Sequence, residues 1–335
     1  MSTETTYNIS ADTRSLLTSS RLKAARSCRR LHHLRYDLGI EAATEASATR
    51  FGTLVHKGLE AWWRSMGDLD GATWFMRESA GPDTDAFEMV RAEVLLRGYH
   101  FRGAPDLVNY EVIAVEKQFE CDLINPATGH RSQTWKLGGK LDALVRDVRD
   151  GRVLVVEHKT SSEDISQGSE YWRRLRMDGQ VSVYYVGATS LGHEVSGCLY
   201  DVIGKPALRP AKATENPKRK KDGSLYANQR EADETPEEFR ARLIDHLAES
   251  PDRYYQRGNV YRLEAEVGEA LLDIWHLSQE LRAAELAGRF PRNPSACSQY
   301  GRTCHFFDAC SGCASLDDAA RFKRLSSVHP ELLSE

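Results

Sequence analysis

The chain has 335 residues, of which 41% are hydrophobic and 28% are charged, and its formal net charge is −4. A chain of this length buries a full core as one elaborated domain or as two. The negative balance excludes a protein that coats nucleic acid through net positive charge, although a local basic groove is compatible with it. Because no apolar run is long enough to span a bilayer and the first residues do not resemble a signal peptide, we expect a cytoplasmic protein that does not bind membranes.

Predicted helices fill the N-terminal third of the chain. One is predicted over residues 16–38, around Cys28, and a second begins after Thr53 with a broad apolar stripe on one face. His56 lies in the first turns of this second helix. A third helix is predicted over residues 84–101.

A β-hairpin with three charged side chains is the next predicted element. It follows a strand predicted over residues 110–123, and an Asp-Gly pair at 150–151, between two apolar runs, predicts its tight turn. If the strands pair symmetrically about this turn, Asp142 opposes Lys159 and lies diagonal to Glu157, so the three side chains share one face. A four-residue loop is expected to keep this pairing, whereas a three-residue loop would scatter the group.

The elements after the hairpin indicate a mixed sheet covered by helices. A helix is predicted over residues 170–188 and a strand over residues 194–203. Proline, glycine and a basic run at 218–221 then predict a loop over residues 204–234.

Two later helices have clear end signals. Thr235 and Glu238 form a capping box at the start of the first one, which is predicted to reach about residue 249. An extended piece at 258–263 precedes a long helix over residues 264–286, which Gly288 ends.

The hairpin residues have the chemistry of a metal centre for phosphodiester hydrolysis. Asp142 and Glu157 offer the oxygen ligands that Mg²⁺ prefers, and Lys159 can orient an attacking water or stabilise developing charge. The backbone carbonyl of His158 is a further candidate ligand. A nitrogen from His56 would favour Mn²⁺ as well as Mg²⁺.

A cross-strand ion pair between Asp142 and Lys159 is the simpler interpretation of the same residues. Against it, the apolar segment 153–156 predicts a buried strand, where unpaired acids are costly without a cation. His56 has its own alternative, since a single histidine on an amphipathic helix is often a packing residue.

Four sequence segments occur in the order found in the PD-(D/E)XK nuclease superfamily, and the chain resembles the RecB-like branch of that family. They lie at 52–56, 139–142, 157–159 and 180–184, and contain in order His56, Asp142, Glu157 with Lys159, and Gln180 with Tyr184. Gln180 and Tyr184 share one face of a predicted helix, where they either hold the lysine or DNA near the site or pack the core. The resemblance implies an α/β (α+β) fold in which helices flank a restriction-endonuclease-like mixed β-sheet.

The resemblance covers most of the chain and implies one nuclease domain over residues 1–335. Within it we expect a helical N-terminal part, a catalytic core, a basic loop and a helical C-terminal part, over residues 1–104, 105–204, 205–234 and 235–335.

Seven cysteines are unevenly placed along the chain. Four of them crowd its C-terminal part, at Cys297, Cys304, Cys310 and Cys313. In an intracellular chain such clustering indicates a metal site rather than disulfides, and a structural zinc ion bound by these four thiolates is one alternative. Cys121 and Cys198 lie in predicted strands and are expected to be small buried apolar residues.

The other alternative includes Cys28. Together with Cys297, Cys304 and Cys310 it resembles the cysteine pattern of iron-sulfur nucleases in the RecB-like branch, among them the AddB nuclease domain and the CRISPR spacer-acquisition exonucleases. The resemblance implies that these cysteines hold a [4Fe-4S] cluster that joins the two ends of the nuclease core. The gap of six residues between Cys297 and Cys304 departs from the commonest pattern, so replacement of one ligand by Cys313 stays open.

The resemblance therefore implies a metal-dependent DNA nuclease that uses Mg²⁺ or Mn²⁺. An exonuclease on single-stranded or linear DNA ends, in recombination, repair or phage DNA processing, is the first expectation. A structure-specific endonuclease and a catalytically silent nuclease-like DNA-binding protein are the alternatives. DNA is the expected partner, with recombination or repair proteins beside it, and the basic run at 218–221 either contacts the DNA backbone or forms a solvated loop.

Overall fold

The computed structural model describes residues 12–44, 46–227, 229–299 and 301–333. Its strands are β1 (Ser15–Leu17), β2 (Ile40–Ala42), β3 (Tyr110–Ile124), β4 (Arg131–Asp147), β5 (Val153–Ser161), β6 (Val195–Gly204), β7 (Tyr255–Val260), β8 (Ser298–Gln299), β9 (Arg302–Thr303) and β10 (Phe322–Arg324). Its α-helices are α1 (Ser19–Ser27), α2 (Arg29–His32), α3 (Ser47–Arg64), α4 (Leu69–Glu78), α5 (Ala86–Gly103), α6 (Glu170–Leu175), α7 (Gly179–Ser190), α8 (Pro236–Glu249), α9 (Glu264–Ala287) and α10 (Phe307–Ser311).

The central sheet is mixed, and its longest strand has a gap along one edge. The sheet order is β1-β4-β5-β6-β7, with β3 paired to β4 along most of its length. Because β3 takes one edge of β4, β1 and β5 must share the other, at 135–137 and 143–146 respectively. Among the described residues no strand pairs with that second edge over residues 138–142. Asp142 lies at the end of this gap.

The hairpin of β4 and β5 forms where the sequence predicts it, but its register differs by two residues. The strands pair Ala143 with Val156. Extending that pairing by one residue sets Asp142 opposite Glu157. The prediction that Asp142 opposes Lys159 is therefore wrong, whereas Glu157 and Lys159, two residues apart on β5, share one face as predicted. At Asp142 the alternation of β4 is interrupted, since Leu141 and Ala143 pack on opposite faces of the sheet.

The hairpin loop explains this register. Its four residues, 148–151, are closed by a hydrogen bond of 2.8 Å from the N–H of Asp147 to the carbonyl of Arg152. The Asp147 carboxylate accepts the N–H of Arg149 at 3.0 Å, and Gly151 has a left-handed φ of 77°. The expectation that a four-residue loop would keep the predicted pairing is also wrong, because Asp147 starts the loop one residue earlier than a loop centred on Asp-Gly.

Two hydrophobic clusters lie on opposite faces of the sheet. Consecutive residues of β5 alternate between them, since Val156 belongs to one cluster and Val155 to the other. Helices α3, α5 and α8 fill the first cluster, and α7 and α9 fill the second. The prediction of a mixed sheet flanked by helices is confirmed.

A glycine lets α7 lie close to the sheet. A Cβ atom at Gly187 would stand 2.5 Å from the ring of Phe119 on β3, which is closer than side-chain atoms tolerate. The close approach brings the other end of α7, with Gln180, toward β5.

The helix predicted over residues 16–38 is broken at Cys28. This residue has extended backbone, with φ −158° and ψ 124°, between α1 and α2. The C-terminal part of the chain holds it there, because the N–H of Asn293 donates to Cys28 Sγ at 3.3 Å and the N–H of Arg30 donates to the carbonyl of Pro291 at 3.1 Å. Residues 15–17 form β1 instead of helix. These breaks depend on contacts distant in sequence.

The helix predicted over residues 170–188 is two helices. Arg262 Nη2 donates to the carbonyls of Leu175 and Asp178 at 2.9 Å each, which stabilises the turn between α6 and α7. The Asp178 carboxylate accepts the N–H of Gln180 at 2.9 Å and so caps α7. Gln180 therefore lies in the first turn of α7.

Several other local signals are confirmed. Helix α8 has its capping box at Thr235 and Glu238, α9 ends at Gly288 with a left-handed φ of 60°, and Cys198 is fully buried in β6. Cys121 in β3 was expected to be buried but is half-buried. Helix α3 begins before its predicted start, and α4, α10 and the short strands β2, β8, β9 and β10 have no counterpart among the predicted elements. No helix of the described chain is both long and apolar enough to cross a bilayer.

Candidate active site

The predicted metal-binding residues meet beside the gap in the sheet. His56, on α3, places Nδ1 3.7 Å from Oδ2 of Asp142. The same oxygen accepts the backbone N–H of His158 at 2.8 Å, just beyond the last paired residues of β4 and β5. The Asp142 carboxylate is therefore held between a helix and a strand.

Glu157 and Lys159 form the second half of the site. Glu157 is 1% exposed, and its Oε1 pairs with the ammonium of Lys159. Lys159 Nζ also donates to Gln180 Oε1 at 3.1 Å, and Gln180 Nε2 donates to the hydroxyl of Tyr184. The structure thus brings Gln180 and Tyr184 to the site as a hydrogen-bonded chain that ends on the lysine.

The two carboxylates have opposite electrostatic surroundings. Burial raises the pKa of Glu157, and the nearby Asp142 adds to the rise while Lys159 opposes it. Burial alone would raise the pKa of Asp142 too, but His56 and the nearby imidazole of His158 hold that pKa below its usual range. Asp142 is therefore ionised at neutral pH, and Glu157 is the costlier of the two to ionise.

The two basic groups are also shifted. Burial lowers the pKa of His56 to about 4, so its ring is neutral at neutral pH and has a lone pair for a cation. Burial alone would lower the pKa of Lys159, but the carboxylates of Glu157 and Asp142 raise it. Lys159 therefore keeps its positive charge inside the site.

A buried oxygen of Glu157 shows that this group of residues suits a divalent cation. Oε2 has no hydrogen-bond partner among the described residues, which costs about 1–3 kcal/mol for a buried polar group and more for a charged one. Within the described chain no three His, Cys, Asp or Glu side chains stand close enough to hold a metal ion as they are. Mg²⁺ needs only one or two carboxylates because it keeps several waters, so the oxygen donors of Asp142 and Glu157 have the chemistry that suits Mg²⁺ or Mn²⁺.

A further acid, Glu116 on β3, lies beside the site and was missed by the sequence reasoning. The pairing of Val115 with Ala143 and of Lys117 with Leu141 sets Glu116 opposite Asp142. Glu116 has a φ of 53°, which is uncommon for a residue with a side chain, and it pairs with Lys140. Burial raises the pKa of Glu116. The residues around Glu116 have the composition of an ordinary strand, so the sequence does not indicate that Glu116 lies beside the site.

The imidazole of His158 was also missed, because only its backbone carbonyl was a candidate ligand. The ring is buried on the α3 side of the sheet, with Nδ1 3.5 Å from Asp142 Oδ2 and Nε2 3.9 Å from Asp201 Oδ2. Asp201 is an acid in an otherwise apolar strand, and this sequence feature could have indicated a buried polar partner near His158.

Four cysteines from distant parts of the chain lie in one region, but no three of them in the described chain are close enough to hold a metal ion as they stand. Cys304 is near enough to Cys310, Cys297 and Cys28 for their charges to act on it, and burial raises the pKa of its thiol. The N–H of Cys304 donates to the carbonyl of Cys297 at 2.8 Å. Cys313 is exposed. All seven cysteines lie in the described residues and none is in a disulfide.

Comparison with known proteins gives one informative match. A family model described as the PD-(D/E)XK nuclease superfamily matches residues 16–311. A solved structure titled "Crystal structure of SSO0001" is 13% identical and aligns over 79% of this chain and 84% of that chain, with a TM-score of 0.26. A score this low carries no argument about the fold. No curated protein matches the sequence.

Proposed function

The chain belongs to the PD-(D/E)XK nuclease superfamily, and on that premise we propose that it hydrolyses DNA in a metal-dependent reaction at Asp142, Glu157 and Lys159. Glu157 carries the proposal. It is a buried carboxylate with one oxygen paired to Lys159, and its other oxygen makes no hydrogen bond of ordinary geometry in the described chain, although the Tyr184 hydroxyl lies close to the carboxylate. Buried polar atoms of purely structural ion pairs are nearly always satisfied, whereas a carboxylate that binds a cation keeps an oxygen for it.

The proposed roles follow from the contacts of each side chain. Asp142, Glu157 and a nitrogen of His56 would hold the ion, with the backbone carbonyl of His158 as a further ligand. When bound, Mg²⁺ or Mn²⁺ lowers the pKa of a water molecule and neutralises charge on the phosphodiester. Lys159 keeps its charge beside the two carboxylates and can stabilise the negative charge that develops on the phosphate oxygens.

Gln180 and Tyr184 act through Lys159 in this proposal. Gln180 accepts a hydrogen bond from Lys159 and donates one to Tyr184, so the lysine has a fixed direction. We count both as positioning residues.

We extend the proposal to an exonuclease of the RecB-like branch, acting on single-stranded or linear DNA ends. Its support is the order of the four sequence segments together with the contact of Lys159 with Gln180. A role in recombination, repair or phage DNA processing, with repair proteins as partners, belongs to the same proposal. A catalytically silent protein is disfavoured because both acids and the lysine are present.

We also propose that Cys28, Cys297, Cys304 and Cys310 hold a [4Fe-4S] cluster. The mutual electrostatic influence of these thiols supports it, as does the break in the N-terminal helix at Cys28. Zinc bound by the four C-terminal cysteines is the alternative, and the exposure of Cys313 disfavours it. In this proposal the cluster links the N-terminal part to the C-terminal part of the single domain.

A panel of labelled DNA substrates tests the function. Purified protein is incubated with end-labelled single-stranded DNA, linear duplex and closed circles, each with Mg²⁺, Mn²⁺ or a chelator. We expect metal-dependent degradation of linear substrates and none of closed circles. Cleavage of closed circles would replace the exonuclease proposal by an endonuclease. Binding of DNA without cleavage of any substrate would contradict the nuclease proposal itself.

A further inference from the structure

A row of buried polar side chains crosses the sheet behind Asp142. His158 pairs with Asp201 in the register of β5 and β6, and Asp201 pairs with Arg257 in that of β6 and β7. His158 and Asp201 are each 3% exposed. The row therefore starts at the proposed metal site and runs through the interior of the protein on the side covered by α3 and α5.

Asp201 is the fixed member of this row. Its Oδ2 accepts the hydroxyl of Tyr99 at 2.6 Å and Nη2 of Arg257 at 2.9 Å, and its Oδ1 accepts Nε of Arg257. Tyr99 in turn accepts Nε1 of Trp63 at 3.0 Å. With both oxygens in charge-assisted hydrogen bonds, the Asp201 carboxylate cannot rotate without breaking several contacts.

The imidazole of His158 stands between Asp201 and Asp142. Its Nε2 is 3.9 Å from Asp201 Oδ2, and its Nδ1 is 3.5 Å from Asp142 Oδ2. Two aromatic rings, Trp63 and Tyr99, lie 6.2 and 6.1 Å from it between ring centroids. Nε2 is buried and has no hydrogen-bond partner among the described residues. The ring is therefore confined by packing, with a carboxylate oxygen within 4 Å of each nitrogen.

From this geometry we infer that His158 is a positioning residue that orients the Asp142 carboxylate for a divalent cation, with Asp201 as its support. The inference rests on the proposed function, because it concerns the same metal site. Asp142 needs such support, since it lies where the pairing of β4 with β5 has ended and only β3 still pairs with its strand. A buried pair such as Asp201 and Arg257 adds little net stability by itself. We therefore attribute to the pair the support of His158 behind the metal site.

The inference differs from the assignment of His158 as a carbonyl ligand. A substitution of the His158 side chain keeps the backbone carbonyl, so a carbonyl ligand is still present when the ring is replaced. A contribution of the imidazole is lost when the ring is replaced. Replacing the side chain therefore separates the two roles.

The test measures Mn²⁺ binding to the full chain by electron paramagnetic resonance, so that it does not depend on activity. In His158→Phe the ring stays and both nitrogens are lost, and we expect Mn²⁺ affinity to fall roughly 10- to 100-fold, as when other residues that support metal ligands are removed. In His158→Asn the amide nitrogen takes the place of Nδ1, and we expect most of the affinity to return. Wild-type affinity in His158→Phe, or equal losses in both variants, would overturn the inference.

A second pair of variants keeps the inference testable if His158→Phe does not fold. Asp201→Asn removes the charge that supports His158, and Glu234→Gln removes a similarly buried carboxylate, paired with Arg242 on α8 away from the row. We expect weaker Mn²⁺ binding in Asp201→Asn and unchanged binding in Glu234→Gln, with folding checked by circular dichroism. Equal binding in these two variants would contradict the role of the row.

Failure of the function and failure of this inference give different results. If the wild-type protein binds Mn²⁺ but cuts no DNA, the proposed function fails while the order of affinities among the variants still decides the role of His158. If the wild-type protein cuts DNA and His158→Phe binds Mn²⁺ normally, only the inference fails. If the wild-type protein binds no Mn²⁺, both are overturned.

Discussion

The acidic site and the cysteine region are both candidates for bound metal, but they are built differently. In the acidic site, Asp142, Glu157 and Lys159 lie on β4 and β5 of a sheet with a hydrophobic cluster on each face, and His56 lies on α3 against it. The cysteines lie at a helix break and in short elements such as α10, where the local strands, β8 and β9, have two residues each. Regular structure holds the first site in place, whereas little regular structure holds the second.

This difference predicts different dependence on the metal. Packing of the sheet and α3 fixes the acidic residues before any ion binds, so loss of the ion should cost activity and leave the fold intact. In the cysteine region the local core is a small group of apolar residues that includes Leu34 and Phe306. An iron-sulfur cluster bound there would therefore supply much of the stability of this region. The predictions below separate these two behaviours.

The largest effect is expected from Glu157→Gln and Lys159→Met. Each removes a charge that the proposed reaction needs, and we expect the rate of DNA hydrolysis to fall by roughly 100- to 1,000-fold or more. The melting temperature should change little. Glu111→Gln, on the exposed face of β3 and paired with Arg146, is the matched control and should keep full activity. Full activity in either site variant would remove that residue from the mechanism.

The next effect concerns the cysteine region. Cys28→Ser and Cys304→Ser should lose bound iron and become less stable, because each removes one thiolate from the proposed cluster. Cys313→Ser is the control, since this thiol is exposed, and it should keep its iron. Iron is measured in protein purified without oxygen. Stoichiometric zinc without iron would favour the zinc alternative, and loss of iron in Cys313→Ser would make Cys313 a ligand of the cluster.

A charge cluster that binds no metal gives a reference for both regions. Glu93 on α5 is 5% exposed and joins Arg77 and Arg240, which lie on α4 and α8. Burial alone would raise the pKa of Glu93, but the two arginines hold that pKa below its usual value. Because the pKa in the folded state is the lower one, the stabilisation is present above the unfolded pKa and is lost as pH falls through the folded pKa.

The corresponding variant is Glu93→Gln. At pH 7 we expect it to lower the free energy of unfolding by about 1–2 kcal/mol, at the low end for a buried pair because both arginines are partly exposed. The difference from wild type should shrink as the pH falls below about 4.3. Urea denaturation at several pH values measures it. A chelator should leave the difference unchanged, and a difference that grows at low pH would contradict the assigned pKa direction.

The smallest effect is expected from Gln180→Ala and Tyr184→Phe. Both residues act on DNA hydrolysis through the direction of Lys159, so we expect losses of roughly tenfold or less, with Tyr184→Phe the milder of the two. Rates at saturating DNA measure this. Losses as large as that of Lys159→Met would mean that these side chains touch the reacting groups.

The sequence predicts the faces of the hairpin better than its register. Alternation of side chains depends only on odd and even positions, so a shift of two residues leaves Glu157 and Lys159 on one face. Around Asp142 the alternation is interrupted, which the sequence does not reveal. The register depends on the loop, where the Asp147 carboxylate binds the N–H of Arg149, and the Asp-Gly pair does not reveal that contact.

The unpredicted features depend on contacts between distant parts of the chain. Cys28 breaks its helix because Asn293 reaches it, and α7 begins at Gly179 because Arg262 binds the preceding turn. The φ of Glu116 and the position of His158 between two acids belong to the assembled sheet. Local signals such as the capping box at Thr235 are predictable because they involve only neighbouring residues.

The most direct test of the central claim is hydrolysis of end-labelled single-stranded DNA by the wild-type protein and by Glu157→Gln. Each is first treated with a chelator and then supplied with Mn²⁺. We predict no cleavage by the chelated proteins, restored cleavage by the wild type in Mn²⁺, and none by Glu157→Gln. Cleavage that persists in chelator, or equal cleavage by the two proteins in Mn²⁺, would contradict a metal-dependent nuclease site at Glu157.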